Sequence, residues 1–230
     1  MVKLRINGLD VEADSGQTLL EVARFMGIEI PALCFHEGLS PWGGCRLCLV
    51  EISEGNRDRL VTSCTYPVQE GLEVKTHSER VIRTRKVIVE LLLSSCPSSK
   101  TIQDLAAKLG VQKVRFTIEH DDCIYCGLCV RMCSEQMNAK AIGFVNRGGK
   151  TKIATAFDRK SDDCRRCGAC MYICPACQLR CQGPEPPQVV CGGCLSLEPT
   201  CLDFYPDLMC FMGTKGECGT CIREEPRKKV

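Results

Sequence analysis

Residues 123–133 read CIYCGLCVRMC, and residues 164–174 read CRRCGACMYIC. Both runs follow the pattern C-x2-C-x2-C-x3-C, and the second begins 41 residues after the first. Each has a glycine, Gly127 or Gly168, between its second and third cysteine, where the absence of a Cβ lets the backbone approach a bound group closely. The repeat predicts that residues 115–178 form one duplicated segment around two equivalent sets of thiols.

Four thiolates in this spacing are typical of a cubane [4Fe–4S] cluster, which three closely spaced cysteines bind on one side and a more distant cysteine on the other. In two-cluster ferredoxins the fourth cysteine of each run binds the other cluster. The pattern therefore assigns one [4Fe–4S] cluster to Cys123, Cys126, Cys129 and Cys174, and the other to Cys164, Cys167, Cys170 and Cys133. Zinc knuckles are the alternative, but zinc sites favour two separated C-x2-C pairs.

Another set of cysteines precedes the repeat, and its members are Cys34, Cys45, Cys48 and Cys64. Three of them approach one another around a loop that contains Gly43 and Gly44, and the fourth returns from a later strand. The spacing differs from the plant-type C-x4-C-x2-C pattern. It predicts a [2Fe–2S] cluster, with a structural zinc site as the alternative that the spacing leaves open.

The residues around this set predict a β-grasp frame. Residues 2–13 read as two alternating strands joined by Asn7-Gly8, a strong hairpin signal because both residues tolerate a positive φ. Thr18 and Glu21 form a capping box that opens a helix. Apolar runs that could pair as two further strands follow at 47–52 and 60–62. Strand, strand, helix, metal loop, strands is the order of a β-grasp domain.

A connecting helix is predicted over 79–95 from its broad apolar surface. Four basic side chains crowd its first half: Arg80, Arg83, Arg85 and Lys86. We expect them to form a solvent-exposed face, with docking onto an acidic partner as the alternative. A second helix is predicted over 101–109, with Thr101 and Asp104 as its capping box and Gly110 as its C-terminal stop.

The cysteine content excludes several classes of protein. The chain has 21 cysteines in 230 residues, an odd number that cannot pair completely in disulfides. The first residues lack the apolar run of a signal peptide, and no stretch is long and apolar enough to span a membrane. A net charge of +2 gives no reason to expect nucleic-acid binding. We therefore expect a soluble, cytoplasmic protein with several metal centres.

The C-terminal segment has its own metal-binding pattern, made of two glycine-flanked C-x2-C pairs at Cys191, Cys194, Cys218 and Cys221. Structural zinc and a further iron–sulfur cluster are both open for this site. The remaining cysteines of the segment could complete a second site, and they are Cys177, Cys181, Cys201 and Cys210.

The expected fold class is α+β, in four segments. They are a β-grasp [2Fe–2S] ferredoxin domain at 1–78, a helical linker at 79–114, a bacterial-type two-cluster [4Fe–4S] ferredoxin domain at 115–178, and an irregular, cysteine-rich, metal-binding tail at 179–230.

Two stretches carry a resemblance to a known family: PALCFHEGLSPWGGCRLCLVEI at 31–52 and TSCTYPVQEGLEV at 62–74, followed by the two ferredoxin motifs. Together they resemble the N-terminal iron–sulfur part of the large iron–sulfur subunit of NADH dehydrogenase. They are also similar to the small diaphorase subunit of NAD-linked hydrogenases and related bifurcating oxidoreductases. The resemblance covers residues 1–178, and it implies one [2Fe–2S] and two [4Fe–4S] clusters on the twelve cysteines assigned above.

Many members of that family hold an extra [4Fe–4S] cluster with one histidine and three cysteines between the two domains. In this chain His77 and a single cysteine, Cys96, occupy that region. We therefore expect that cluster to be absent, Cys96 to be a buried structural thiol, and His36 and His77 to be surface or hydrogen-bonding residues.

The sequence favours an electron-transfer subunit over an enzyme with its own catalytic site. It lacks a G-x-G-x-x-G motif, a Walker lysine motif and a G-x-S-x-G motif, and it has only three histidines. The resemblance implies two partners, an NAD(P)H-binding flavoprotein subunit and a catalytic oxidoreductase subunit such as a hydrogenase, a formate dehydrogenase or another low-potential reductase. The alternative is a zinc-bearing structural or regulatory scaffold subunit.

Overall fold

The computed structural model describes residues 1–55, 57–116, 123–159, 161–165 and 167–176, apart from the side chain of Glu54. The predicted tail lies outside them, as do the eight cysteines from Cys177 to Cys221. The described residues fall into two compact units. The first takes in those of Met1–Ser94 and Asp104–Ile118, and the second those of Ser95–Gln103 and Glu119–Val230. Most of the predicted helical linker is thus grouped with the first unit.

The first unit contains a five-stranded mixed sheet. Its strands are β1 Val2–Ile6, β2 Leu9–Ala13, β3 Leu49–Glu54, β4 Arg57–Thr62 and β5 Glu73–Lys75. The spatial order is β2-β1-β5-β3-β4, so the last strand in the sequence lies in the centre. It pairs parallel with β1 and antiparallel with β3, and thereby joins two antiparallel hairpins.

The turn between β1 and β2 forms at Asn7-Gly8, as the sequence predicts. Both residues have a positive φ, 52° at Asn7 and 85° at Gly8. The Asn7 amide also donates from Nδ2 to Thr76 Oγ1 (2.8 Å) and accepts from the Thr76 N–H (2.9 Å). The side chain that permits the turn therefore also binds the backbone just after β5.

Helix α1, Leu19–Phe25, covers one face of this sheet. Thr18 Oγ1 accepts from the Glu21 N–H, and the Thr18 N–H donates to Glu21 Oε2, so the predicted capping box is confirmed. Leu20 on the helix and Ile6 on the sheet are both fully buried. Both belong to the hydrophobic core of this unit, and burying a side chain of this size stabilises a fold by roughly 1.5–3 kcal/mol.

Two longer helices follow the sheet, α2 Glu79–Ser95 and α3 Lys100–Leu109. The bounds of α2 are those predicted, but the predicted capping box of α3 is wrong. The Gln103 N–H donates to the Ser99 carbonyl, which makes Ser99 the residue that caps the helix, and Thr101 lies inside it. The predicted stop at Gly110 is confirmed by its φ of +68° and its N–H bond to the Ala107 carbonyl.

The second unit shows the sequence repeat as a structural repeat. Its short helices are α4 Leu128–Arg131 and α5 Ala169–Tyr172. Each begins directly after its glycine, and Gly127 and Gly168 both have φ of 69°. Between them, the runs at 141–145 and 152–157 flank Asn146-Arg147-Gly148-Gly149, a pattern that predicts a hairpin. Strands β6 Gly143–Val145 and β7 Lys152–Ala154 pair antiparallel and confirm it. Strands, helices and a mixed sheet together confirm the α+β class.

Candidate metal centres

The four N-terminal cysteines are all buried, with exposed fractions of 4% or less. Cys48 directly precedes β3, and Cys64 is the second residue after β4. Because β3 and β4 are antiparallel, with Leu49 opposite Thr62, these two cysteines meet at the same end of the hairpin. Their Sγ atoms are 3.2 Å apart.

The loop between α1 and β3 brings the other two cysteines to the same place. The Cys45 N–H donates to Cys34 Sγ over 3.4 Å. Gly43 has a φ of +69°, and a Cβ there would lie 3.3 Å from the Thr65 side chain. At Gly44 a Cβ would collide with the ring of Trp42. The two glycines therefore allow the loop to fold tightly around the thiols.

These thiols interact strongly with one another. Hydrogen bonds from the Cys45 and Cys64 thiols lower the pKa of Cys34 to about 2, and the same contacts raise the pKa values of Cys45 and Cys64. A hydrogen bond from Cys64 also lowers the pKa of Cys48 to about 7. The thiolate is the form of cysteine that binds a metal, so contacts that lower the pKa of Cys34 and Cys48 suit them to ligation.

Arg85 is a residue of this site that the sequence interpretation placed wrongly. Instead of facing solvent, its side chain is buried, with 2% of the residue exposed. It donates from Nε to the Leu47 carbonyl (3.0 Å) and from Nη2 to the Leu49 carbonyl (2.6 Å). Burial lowers the pKa of Arg85 to about 10, and the negative charge of Cys48 acts in the opposite direction. The guanidinium therefore keeps its charge at neutral pH.

A sequence signal for this placement exists. Val81 and Val89 are both fully buried, and they lie four residues before and four residues after Arg85. Residues at i, i+4 and i+8 share one face of a helix, so Arg85 belongs to the apolar face of α2. The expectation of exposure holds for Arg80 and Arg83.

The thiols of the second unit differ in exposure. Cys126 and Cys129 are buried, Cys167 is exposed, and the rest are intermediate: Cys123, Cys133, Cys164, Cys170 and Cys174. Backbone N–H groups donate to sulfurs of this unit, from Tyr125 to Cys123 Sγ (3.4 Å) and from Ala141 to Cys133 Sγ (3.3 Å). Such donors stabilise negative charge on sulfur, as a thiolate ligand requires.

The charges around the buried thiols show which cysteines are neighbours. Burial raises the pKa of Cys126, and the charges of Cys174, Cys129 and Cys123 add to the increase. The structure thus brings the last cysteine of the second motif next to the first motif.

The second motif shows the reciprocal arrangement. Burial raises the pKa of Cys170 to about 12, with further contributions from Cys167, Cys133 and Cys164. The last cysteine of the first motif therefore lies next to the second. The two sets are also close to each other, because Cys170 contributes to a pKa of about 12 at Cys129, where burial is again the largest cause.

In the described part of the chain, no three side chains of histidine, cysteine, aspartate or glutamate are arranged to hold one metal ion together. An iron–sulfur cluster does not require such an arrangement. In a [2Fe–2S] cluster each iron takes two cysteines, and in a [4Fe–4S] cluster each iron takes one, with sulfide completing the shell. The chemistry of the donor sets fits such clusters: four buried thiols in the first unit, and two groups of neighbouring thiols with N–H donors in the second.

The residues assigned no metal have other contacts. His36 Nδ1 accepts from the Gly38 N–H (3.1 Å), and His77 Nδ1 lies 2.6 Å from Thr76 Oγ1. The expectation that both are surface or hydrogen-bonding residues is confirmed. Cys96 is 2% exposed, which confirms that its thiol is buried.

Comparison with known families assigns both halves of the described chain to iron–sulfur domains. Residues 1–79 match the family described as "2Fe-2S iron-sulfur cluster binding domain". Residues 122–178 match the family described as "4Fe-4S dicluster domain".

Several curated proteins are similar to this chain. The "NADPH-Fe(3+) oxidoreductase subunit alpha" of Geobacter sulfurreducens is 37% identical over 180 residues, which cover 67% of this chain and 21% of that protein. The "NADH-ubiquinone oxidoreductase 75 kDa subunit" of Reclinomonas americana is 33% identical, over 67% of this chain and 26% of that protein. The chain thus spans about a quarter or less of the length of these relatives.

A solved structure is also similar: "Crystal structure of NAD+-reducing [NiFe]-hydrogenase in the H2-reduced state". One of its chains matches with a TM-score of 0.60 and 29% identity, covering 67% of this chain and 75% of that one. The resemblance expected from the sequence is therefore confirmed. Among the described residues, no helix combines the length and the apolar character that crossing a bilayer requires.

Proposed function

We propose, from its likeness to the iron–sulfur parts of NAD(P)H-linked oxidoreductases, that this chain is an electron-transfer subunit of a multisubunit oxidoreductase. It would carry electrons between an NAD(P)H-binding flavoprotein subunit and a catalytic subunit, such as a hydrogenase, a formate dehydrogenase or another low-potential reductase. The observation that carries the proposal is the match of residues 1–79 and 122–178 to two kinds of iron–sulfur domain within one chain.

The proposed cofactors are three clusters. Cys34, Cys45, Cys48 and Cys64 would hold a [2Fe–2S] cluster. Cys123, Cys126, Cys129 and Cys174 would hold one [4Fe–4S] cluster, and Cys133, Cys164, Cys167 and Cys170 the other. The burial of the N-terminal thiols and the neighbours of Cys126 and Cys170 support these sets.

A bound cluster supplies one-electron chemistry, and the protein supplies its surroundings. The first unit keeps four sulfurs away from water, which lowers the local dielectric and the reorganisation that accompanies a change of charge. The N–H groups of Tyr125 and Ala141 stabilise negative charge on Cys123 and Cys133. None of these roles needs a proton donor or acceptor, in keeping with the low histidine content.

The test is the metal and sulfide content of the full chain prepared without oxygen. We expect about ten iron atoms per chain, from one [2Fe–2S] and two [4Fe–4S] clusters, with matching acid-labile sulfide and brown protein that bleaches on reduction. A colourless protein that contains zinc would instead indicate the scaffold role. An iron content well below ten in undamaged protein would contradict the three-cluster assignment.

The same measurement addresses the tail, where we propose a metal site at Cys191, Cys194, Cys218 and Cys221. The double substitution Cys191→Ser, Cys194→Ser should remove the metal that exceeds the three clusters, whether iron or zinc. Cys96→Ala, at a buried cysteine assigned no metal, is the control and should leave the metal content unchanged.

A further inference from the structure

Arg85 reaches from α2 to both sides of a proposed cluster ligand. Its two hydrogen bonds go to the carbonyls of Leu47 and Leu49, the residues immediately before and after Cys48. The carbonyl of Cys48 itself accepts from the Ser63 N–H (3.0 Å) and the Ser63 hydroxyl (2.7 Å). Three successive carbonyls are thus bound, and the segment that presents Cys48 has little freedom to move.

The charge of Arg85 is not balanced by a carboxylate in the described part of the chain, where Cys48 is the negative group that acts on it. The neighbouring Arg80, by contrast, pairs with Glu51 at 3.5 Å. A buried guanidinium without a counter-charge is strongly unfavourable. A cluster with four thiolate ligands carries a net negative charge, so a filled site would provide the counter-charge that Arg85 lacks.

We propose that Arg85 is a positioning residue that fixes the Cys48 segment and, through its buried positive charge, raises the reduction potential of the cluster held by Cys34, Cys45, Cys48 and Cys64. The inference rests on the proposed function, because it takes this cluster to be [2Fe–2S].

The electron balance gives the direction of the effect. One electron from an external reductant takes the cluster and its four thiolates from a net charge of −2 to −3, with no bond broken and no proton required. A fixed positive charge stabilises the more negative form, and burial of both partners keeps water and salt from screening the interaction. The reduced state therefore gains more from Arg85 than the oxidised state does.

The experiment is a redox titration of the full chain with dithionite, followed by the EPR signal of the [2Fe–2S] cluster, in the wild type and three variants. Arg85→Gln keeps an N–H donor but removes the charge, and Arg85→Lys keeps the charge but loses the two-point contact. Arg83→Gln removes an exposed charge two residues away on the same helix and is the control.

We expect Arg85→Gln to lower the equilibrium constant for one-electron reduction of the cluster by tenfold or more. A tenfold change corresponds to a fall in reduction potential of about 59 mV. Arg85→Lys should retain most of the wild-type potential but release its cluster faster on dilution into a chelator. Arg83→Gln should match the wild type. If Arg85→Gln does not take up the cluster while Arg85→Lys does so near the wild-type potential, the role of the charge is again supported.

Two results would overturn the inference. One is a [2Fe–2S] signal in Arg85→Gln at the wild-type potential. The other is loss of the cluster from both Arg85 variants, which would make Arg85 a support of the fold alone. A wild-type chain without any [2Fe–2S] signal would contradict the proposed function instead, so the two failures are distinguishable.

Discussion

Ser63 is fully buried, and it donates twice to one acceptor, the carbonyl of Cys48. A buried carbonyl of this kind is costly to leave without partners. The neighbour that follows Ser63 in the chain is Cys64, so the two bonds tie one proposed ligand to the backbone of another. At the residue scale, hydrogen bonds to backbone carbonyls next to the cysteines fix the position of the thiols.

Replacing Ser63 by alanine removes the hydroxyl bond and leaves the N–H bond in place. We expect the free energy of unfolding to fall by about 1 kcal/mol, the usual net value of one buried hydrogen bond. Urea unfolding followed by circular dichroism measures it. The control is Ser53→Ala, which removes a hydroxyl bond to Asp58 near the exposed end of the β3–β4 hairpin, with an expected effect below about 0.5 kcal/mol. Equal losses of free energy in the two variants would show that the buried Ser63 hydroxyl bond contributes no more than the exposed Ser53 hydroxyl bond.

Single residues differ in how far the sequence reveals them. Asn7 and Gly8 are predictable because their φ preference is a property of the residues themselves. Arg85 and Ser63 are not found by such rules, since their roles depend on which backbone oxygens lie opposite them in the folded chain. The spacing of Val81, Arg85 and Val89 does place the arginine on a buried face, and only its charge argued against that face.

At the scale of the helix, Thr18 and Thr101 show that the same sequence motif can have different roles. Both threonines are followed three residues later by an acidic residue, and only Thr18 caps its helix. At the second helix the chain already turns at Ser99, which is buried and donates from Oγ to the Pro175 carbonyl (3.3 Å). Its carbonyl accepts the first intrahelical bond, from the Gln103 N–H, and its Oγ accepts from the Ile102 N–H (3.5 Å). The prediction of Thr101 failed because the contact between Ser99 and Pro175 is formed by residues distant in the sequence.

Replacing each threonine by alanine tests whether its side chain caps a helix. Thr18→Ala should lower the free energy of unfolding by about 1 kcal/mol, because the first turn of α1 loses its side-chain acceptor. Thr101→Ala, inside α3, should change it by less than about 0.5 kcal/mol, since alanine is the better helix former. Thermal unfolding of both variants under the same conditions provides the measurement. A loss at Thr101 as large as that at Thr18 would contradict the assignment of Ser99 as the cap.

At the scale of the whole molecule, the duplicated half is one unit and not two independent copies. Cys174 lies beside the first motif, and Cys133 beside the second. The spacing of the cysteines predicts this exchange because the chemistry of a cubane cluster demands a distant fourth thiolate. The π-helical turn at Met132–Gln136 carries no such chemical requirement, and the sequence did not predict it.

The exchange can be tested by removing one fourth cysteine at a time. In Cys133→Ala, about four iron atoms should be lost, and an alkylating reagent followed by mass spectrometry should then label Cys164, Cys167 and Cys170. In Cys174→Ala the newly labelled thiols should be Cys123, Cys126 and Cys129. The two variants serve as controls for each other. Labelling of the motif from which the cysteine was removed would refute the crossed scheme.

The central position of β5 has a consequence for biosynthesis. A ribosome releases the two hairpins of the first unit early, but Arg5 pairs with a residue 68 positions later in the chain. At synthesis rates of roughly 5–20 residues per second, several seconds separate the two strands. During that delay the four N-terminal cysteines are synthesised in turn, each of them before β5 is available to complete the sheet. The N-terminal cysteines of a nascent chain can therefore be fully buried only after β5, the shortest strand of the sheet, has been synthesised.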